Sequence, residues 1–307
     1  MSSARMNYQR LLATVDLGEM TEPVVKRAVE LARRLSAAVD VATILERTPG
    51  YLKHTLSPDE LQATEDKSTH WIHGRLEELK TRYPEVGATH TARGILAEAL
   101  RYLAKEVDAD LLVLGAAERR GMAVLFGDRS DEILHKAPCD VLLVKDRRLD
   151  QGSGSPRPYR RVVAAVDLGV DGAFVLERAA LLAARSEADL ILIHVIDHFP
   201  VDRSNALIAP EDEDPLVFER DEADRRLREL ATQAGVGNSR VEVLASLSTA
   251  SREIPEFAKT NNADLVITGS HGRHGLGRFL GSTADGIRHR AQCDVLVVRV
   301  PVGSDWG

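Results

Sequence analysis

Cysteines are scarce in this sequence, and long apolar runs are missing. The 307 residues include two cysteines, too few for a disulfide framework or for a zinc site built from cysteines alone. No apolar run approaches the ~18 residues that a membrane span requires. The first ten residues lack the apolar core of a secretion signal. We therefore expect a cytoplasmic protein without a membrane span.

Positive charge and aromatic side chains are also in short supply. Lysine and arginine number 40 against 47 aspartates and glutamates, which gives a formal net charge of −7. A protein that binds nucleic acids without sequence preference needs a basic surface to neutralise the phosphates. Aromatic residues make up only 4% of the chain, so platforms for base stacking are few. General nucleic-acid binding is not expected.

The clearest feature that is present is an internal repeat. Residues 115–145 and 269–299 align without a gap at an offset of 154, with matching glycines and an identical Cys-Asp-Val-Leu segment. Upstream, residues 11–18 parallel residues 162–169 at a different offset. A period near 150 residues is far too long for a solenoid and indicates a duplicated domain. The predicted organisation is domain 1 over residues 1–148, a Gly/Ser/Pro-rich linker over 149–158, and domain 2 over 159–307.

Within each repeat, short apolar runs alternate with longer segments of helical periodicity. This alternation implies right-handed crossovers and a parallel sheet that is buried on both faces. The fold class is therefore α/β, with two tandem doubly wound domains that each carry a five-stranded sheet. The predicted strands cover residues 10–15, 39–45, 87–91, 110–114 and 140–144, and then 161–166, 189–196, 240–245, 264–268 and 294–299.

One group of residues in domain 2 points to a ligand site. Ligands of open α/β sheets bind beyond the carboxyl ends of the strands, where the chain order reverses. Asp167 ends the first strand, Gly269 follows the fourth, and Gly281-Ser282-Thr283 opens the last helix. Glycines let main-chain N–H groups approach phosphate oxygens, and a helix N-terminus carries partial positive charge. The pattern favours an anion site, although it is neither a P-loop nor a dinucleotide-binding fingerprint.

This order of motifs resembles the universal stress protein family, most closely its tandem, E-type bacterial members. The resemblance rests on the strand-ending Asp, the glycine loop and the terminal Cys-Asp-Val-Leu strand. It occurs in both repeats, which together make up almost the whole chain. It implies ATP binding, with or without Mg, and an intramolecular pseudo-dimer in which Asp140–Val144 pairs with Asp294–Val298. The nucleotide-binding residues that it implies, with their neighbours, are Val166, Asp167, Val195, Gly269, Gly272, Arg273, Gly281, Ser282 and Thr283.

Domain 1 departs from this pattern at the positions that matter for phosphate. Glu118 stands where domain 2 has Gly272, and Asp128 stands where it has Ser282. A carboxylate about 4 Å from a phosphate charge costs on the order of 4 kcal/mol at an effective dielectric constant of 20. Domain 1 is therefore predicted to be nucleotide-free, although it retains Asp16.

The resemblance implies a stress-response regulator that senses an adenine nucleotide and acts on a protein partner that the sequence does not identify. No GxSxG elbow or metal-ligand spacing is evident, so no catalysis beyond slow, incidental ATP hydrolysis is expected. Other interpretations stay open. Gly272 and Gly281 enclose eight residues, one fewer than the family pattern, which fits a nucleotide-free scaffold. Asp167 could simply cap a turn. An enzyme that acts on an activated nucleotide and a homodimer of tandem chains also remain alternatives.

Overall fold

The computed structural model describes residues 7–46, 57–116, 129–145, 157–169, 171–197, 214–246, 248–270 and 281–300. The chain divides into two compact units. The first unit contains the described residues from Tyr8 to Cys139. The second contains Asp140–Lys145 and the described residues from Arg157 onwards. Among all described residues, no helix is both long enough and apolar enough to cross a membrane.

The first unit is built on four parallel strands in the order β3-β2-β1-β4. In the central strand Leu11, Leu12 and Ala13 are all fully buried, as expected where helices cover both faces of a sheet. The strands are β1 (Arg10–Thr14), β2 (Ala38–Glu46), β3 (Val86–Gly94) and β4 (Leu111–Ala116), and the helices are α1 (Thr21–Leu35), α2 (Pro58–Arg82), α3 (Leu96–Glu106) and α4 (Arg129–Lys136).

The second unit contains six strands in the order β5-β10-β9-β6-β7-β8. All neighbours are parallel except β5 and β10, which are antiparallel. The strands are β5 (Asp140–Lys145), β6 (Arg161–Ala165), β7 (Asp189–Asp197), β8 (Arg240–Ser246), β9 (Leu265–Gly269) and β10 (Asp294–Val298). The helices are α5 (Gly172–Ser186), α6 (Pro215–Gln233), α7 (Ala250–Thr260) and α8 (Ser282–Arg290).

The predicted α/β fold class is confirmed, and most strand ends lie within one or two residues of the prediction. The exception is β3, which continues three residues beyond the predicted residue 91. β3 lies at the edge of the sheet, and only Val86 of its nine residues is buried. An edge strand with little buried surface lacks the apolar alternation that marks a strand in a sequence.

The predicted antiparallel pairing of the two final strands is also confirmed. Leu142 pairs with Leu296, and Leu143 pairs with Val295. All four side chains are buried. Because of this pairing, β5 groups with the second unit, whereas the sequence repeat places it in domain 1. The predicted domain boundaries stay a prediction.

Two buried aspartates fix the ends of this strand pair. The Asp140 carboxylate accepts hydrogen bonds from Arg299 N at 2.7 Å and from Arg178 Nε at 2.9 Å. The Asp294 carboxylate accepts bonds from Lys145 N at 3.0 Å and from the Tyr159 hydroxyl at 2.8 Å. Each strand therefore begins with an acceptor for the main chain at the far end of its partner.

Replacing Asp294 by Ala is expected to lower the free energy of unfolding by about 2 kcal/mol, because two donors lose their acceptor inside the protein. Asp294→Asn should cost clearly less, since an amide can accept from Lys145 N and donate to the Tyr159 oxygen. Urea unfolding followed by circular dichroism measures both values. Equal losses for the two variants would show that the carboxylate charge, and not hydrogen bonding, stabilises the pair.

Candidate functional site

The order of the strands places a crevice between β6 and β9 in the second unit. From β6 the chain proceeds to β7 and β8 on one side, whereas β9 and β10 lie on the other side. β6 and β9 are direct neighbours, with Ala165 opposite Thr268. Chain order thus reverses between them, and in open α/β sheets this is the place where ligands bind. Asp167 and Gly269 stand at the carboxyl ends of these two strands.

A tight turn connects β6 to α5. The Asp167 carboxylate accepts a hydrogen bond from Gly169 N at 3.1 Å, and Gly172 N donates to Gly169 O at 3.2 Å. Gly172 is buried at the first position of α5, and a Cβ on it would lie 1.9 Å from the Asp167 carbonyl oxygen. Only glycine fits this approach, so the helix start and the strand-ending aspartate are held against each other.

The start of α8 is fastened to the end of β9. Gly281 N donates a hydrogen bond to Ser270 O at 2.8 Å. Ser270 is buried and is itself attached to the end of β10: its N–H donates to Val298 O at 2.8 Å, and its hydroxyl accepts from Val300 N at 3.1 Å. The position of the helix start is therefore set by the sheet.

Within the described part of the chain, no N-cap side chain bonds the first N–H groups of α8. Gly281 is the N-cap and has no side chain with which to bond them. In any α-helix the first N–H groups have no intrahelical acceptor, and they carry the positive end of the helix dipole. Ser282 is exposed and Thr283 is half-buried, so their hydroxyls add two donors at the same end. Groups of this kind at a helix start suit an anion.

The main chain of β7 continues past the end of β6. Ile193 O accepts a hydrogen bond from Val166 N at 2.9 Å. Main-chain groups of a strand alternate in direction with a period of two residues. The N–H and C=O of Val195 therefore point to the same side as those of Ile193, where β6 has already ended. Val195, which is half-buried, therefore has main-chain N–H and C=O groups that face the crevice.

Both main-chain groups of Val166 are hydrogen-bonded within the protein. Its N–H is bonded to Ile193 O, and its carbonyl accepts a 2.8 Å hydrogen bond from His194 Nδ1. Its side chain is 3% exposed. Val166 therefore shapes the floor of the crevice. The half-buried His194 holds that floor in place through its bond to the Val166 carbonyl.

Comparison with known proteins identifies the family. The sequence model described as "Universal stress protein family" matches residues 7–145 and again residues 158–299. The chain belongs to this family. Universal stress protein A homolog 1 of Coxiella burnetii is 36% identical over 140 residues, which cover 46% of this chain and 96% of that protein. Universal stress protein E of Escherichia coli K12 is 25% identical over 312 residues, covering 95% of this chain and 94% of its own.

Solved structures agree on the fold. The crystal structure of a universal stress protein from Archaeoglobus fulgidus covers 98% of this chain and 100% of its own length, with a TM-score of 0.65 at 17% identity. A putative universal stress protein from Pseudomonas aeruginosa gives a TM-score of 0.64 at 19% identity over 96% of this chain. Both solved chains thus match the fold over nearly the whole length of this chain, across both repeats.

The structure brings most of the predicted site residues of this universal stress protein to one edge of the sheet. Gly272 and Arg273 lie outside the described residues, so their placement is not known. The binding role of every residue in the set stays a prediction. The residues at the carboxyl edge of β6, β7 and β9 are Val166, Asp167, Val195, Gly269, Gly281, Ser282 and Thr283.

The first repeat keeps the turn but changes its surroundings. Asp16 accepts a hydrogen bond from Gly18 N at 2.9 Å, as Asp167 does from Gly169. A Cβ on Gly115 would lie only 2.8 Å from Met20 Cβ, so the Met20 side chain rests on the carboxyl end of β4. Sequence reasoning missed this contact because Met20 belongs to no motif. Glu118 and Asp128, on which the nucleotide-free prediction depends, lie outside the described residues.

Proposed function

We propose that this universal stress protein binds ATP or a related adenine nucleotide in its second repeat and acts as a stress-response regulator without dedicated catalysis. The observation that carries the proposal is the anchoring of the α8 N-terminus at the β6–β9 switch point by the Gly281–Ser270 hydrogen bond. Exposed amides of a helix start, fixed at the position where α/β sheets bind ligands, suit a phosphate group.

The proposed roles follow from the chemistry of each group. The phosphates bind the amides and hydroxyls of Ser282 and Thr283, and the main chain of Val195 pairs with the edge of the adenine ring. Asp167 accepts a hydrogen bond from the adenosine moiety. Each hydrogen bond to a charged group contributes roughly 1.5–3 kcal/mol, so three or four give affinity on the micromolar scale after the cost of association.

Binding without turnover is proposed because main-chain amides and hydroxyls hold a phosphate but do not activate water. Gly272 and Arg273 are also proposed as nucleotide-binding residues, and the support for them is the sequence pattern alone. The proposed setting is the cytoplasm, and nucleotide occupancy would alter the surface that an unidentified protein partner contacts. The rival reading, a nucleotide-free scaffold, predicts no binding at all.

Isothermal titration with ATP tests this proposal directly. We expect one site per chain with a micromolar-scale dissociation constant. Gly281→Asp should abolish the heat of binding, because it sets a carboxylate beside the helix amides. The matched variant Gly127→Asp, at the corresponding position of the first repeat, should bind as wild type does. An absence of heat from wild type would favour the scaffold, and equal effects of the two variants would contradict the assignment to the second repeat.

A further inference from the structure

The contact between α7 and α8 is closer than side chains permit. A Cβ on the buried Gly286 would lie 2.4 Å from Ser251 Cβ, 3.0 Å from Ser251 Oγ and 2.8 Å from Arg290 Nη1, which is the end of a flexible side chain that can move aside. Carbon atoms that are not bonded rest about 3.5–4.0 Å apart. The approach of the two helices therefore depends on the missing Cβ of Gly286.

Gly286 lies one helical turn beyond the proposed phosphate site. It follows Ser282 by four residues, so the two positions are on the same side of α8. A shift of α8 at Gly286 would carry the helix start with it. The Gly281–Ser270 hydrogen bond, which sets the helix start against the sheet, would lengthen or turn.

α7 is the fixed partner in this contact. Ile254, Pro255 and Ala258 of this helix are buried. Its first turn is tied to the end of β8 by a 2.7 Å hydrogen bond from the Ser246 hydroxyl to Glu253. Ser251 Cβ is attached directly to the α7 backbone, so it has no rotamer by which to avoid a new methyl group. Rotation of the Ser251 side chain therefore cannot relieve crowding at Gly286, and the relief requires a shift between the backbones of α7 and α8, which moves α8 away from its present place on α7.

The first repeat has no such requirement. At the offset of 154 residues, Glu132 stands in the place of Gly286 and Ala97 in the place of Ser251. Glu132 has a Cβ and a half-buried side chain that forms a 2.7 Å ion pair with Lys136. The repeat with the proposed nucleotide site thus has a glycine at this contact, and the other repeat does not.

We propose that Gly286 is a positioning residue for nucleotide binding in the second repeat. Its lack of a side chain lets α8 sit close to α7 and holds the first amides of α8 at the β6–β9 crevice. The inference rests on the proposed function, because it assigns Gly286 to the same site. Gly286 makes no contact with the nucleotide itself.

The test is a rescue experiment with ATP titration as the readout. Gly286→Ala should raise the dissociation constant at least about tenfold, the loss expected when one charged hydrogen bond is misaligned. The double variant Ser251→Gly with Gly286→Ala removes the opposing Cβ and should bind within about twofold of wild type. Ser251→Gly alone should bind normally.

A matched control and a second crowding variant complete the design. Gly74→Ala changes a helical glycine whose Cβ would meet nothing within 4 Å, and it should leave ATP affinity unchanged. Ser251→Val crowds the same contact from α7 and should weaken binding if Gly286→Ala proves too unstable to purify. Every titration is run well below the melting temperature of the variant.

The outcomes separate the two proposals. Absence of ATP binding by wild type overturns the proposed function and this inference with it. Binding by wild type with unchanged affinity of Gly286→Ala overturns the inference alone. Weak binding by Gly286→Ala that Ser251→Gly does not rescue also overturns it, because the loss would then not arise from the α7–α8 contact. Weakening with rescue supports it.

Discussion

Replacing Ser282 by Asp is expected to weaken ATP binding about a thousandfold while the protein stays folded. The variant places an aspartate at the start of α8, and the first repeat has an aspartate, Asp128, at the corresponding position. A carboxylate about 4 Å from a phosphate charge costs on the order of 4 kcal/mol at an effective dielectric constant of 20. Each 1.4 kcal/mol is a factor of ten in affinity, so the loss is about three orders of magnitude. Isothermal titration of wild type and variant measures it.

Stability distinguishes this effect from unfolding. An acidic residue in the first turn of a helix interacts favourably with the helix dipole, by about 0.3–1 kcal/mol. Ser282→Asp should therefore have an unchanged or slightly raised melting temperature. Ser282→Asn has nearly the same shape without the charge and should lose at most about tenfold in affinity. If the Asp variant binds ATP within threefold of wild type, the phosphates do not lie at the start of α8.

The residue pattern was sufficient to predict the strands, whereas the pairing of the two final strands was predicted from the family resemblance. Buried runs such as those of β1 and β10 are uniformly apolar, which is typical of parallel strands covered on both faces. The prediction did not extend to the grouping of β5 with the second unit, because the repeat assigns β5 to domain 1, whereas its pairing with β10 packs it into the second unit. The boundary of a sequence repeat shows where the chain was duplicated, whereas the boundary of a compact unit shows which residues pack together.

In the candidate site, too, the sequence indicated residues with a local signal but not residues whose role depends on a distant contact. Asp167 and Ser282 were recognisable because they stand where a strand ends and a helix begins. Gly172, Ser270 and Gly286 were not, because their roles depend on atoms far away in the chain or across a turn. A glycine in a sequence does not reveal what its missing Cβ would meet, and a buried serine does not reveal its partner.

Gly172→Ala is expected to lower the free energy of unfolding by about 3 kcal/mol, the upper end for overpacking. The new Cβ would lie 1.9 Å from the Asp167 carbonyl oxygen and 3.1 Å from Val166 Cγ1. Alanine is the better helix former, so the loss cannot come from helix propensity. Relief of the clash moves the turn that carries Asp167, and ATP affinity should fall at least about tenfold. Urea unfolding and isothermal titration measure the two effects.

The first repeat supplies the control for this prediction. Thr21 N donates to Gly18 O at 3.2 Å, as Gly172 N does to Gly169 O, so Thr21 holds the corresponding position of α1. Its buried side chain is accommodated there, and its hydroxyl has no hydrogen-bond partner among the described residues. Thr21→Ala should therefore cost less than about 1 kcal/mol and leave ATP affinity unchanged. If Gly172→Ala is as stable as Thr21→Ala, the turn at Asp167 can change its conformation without a cost in stability. The position of Asp167 in the proposed site would then not be fixed by Gly172.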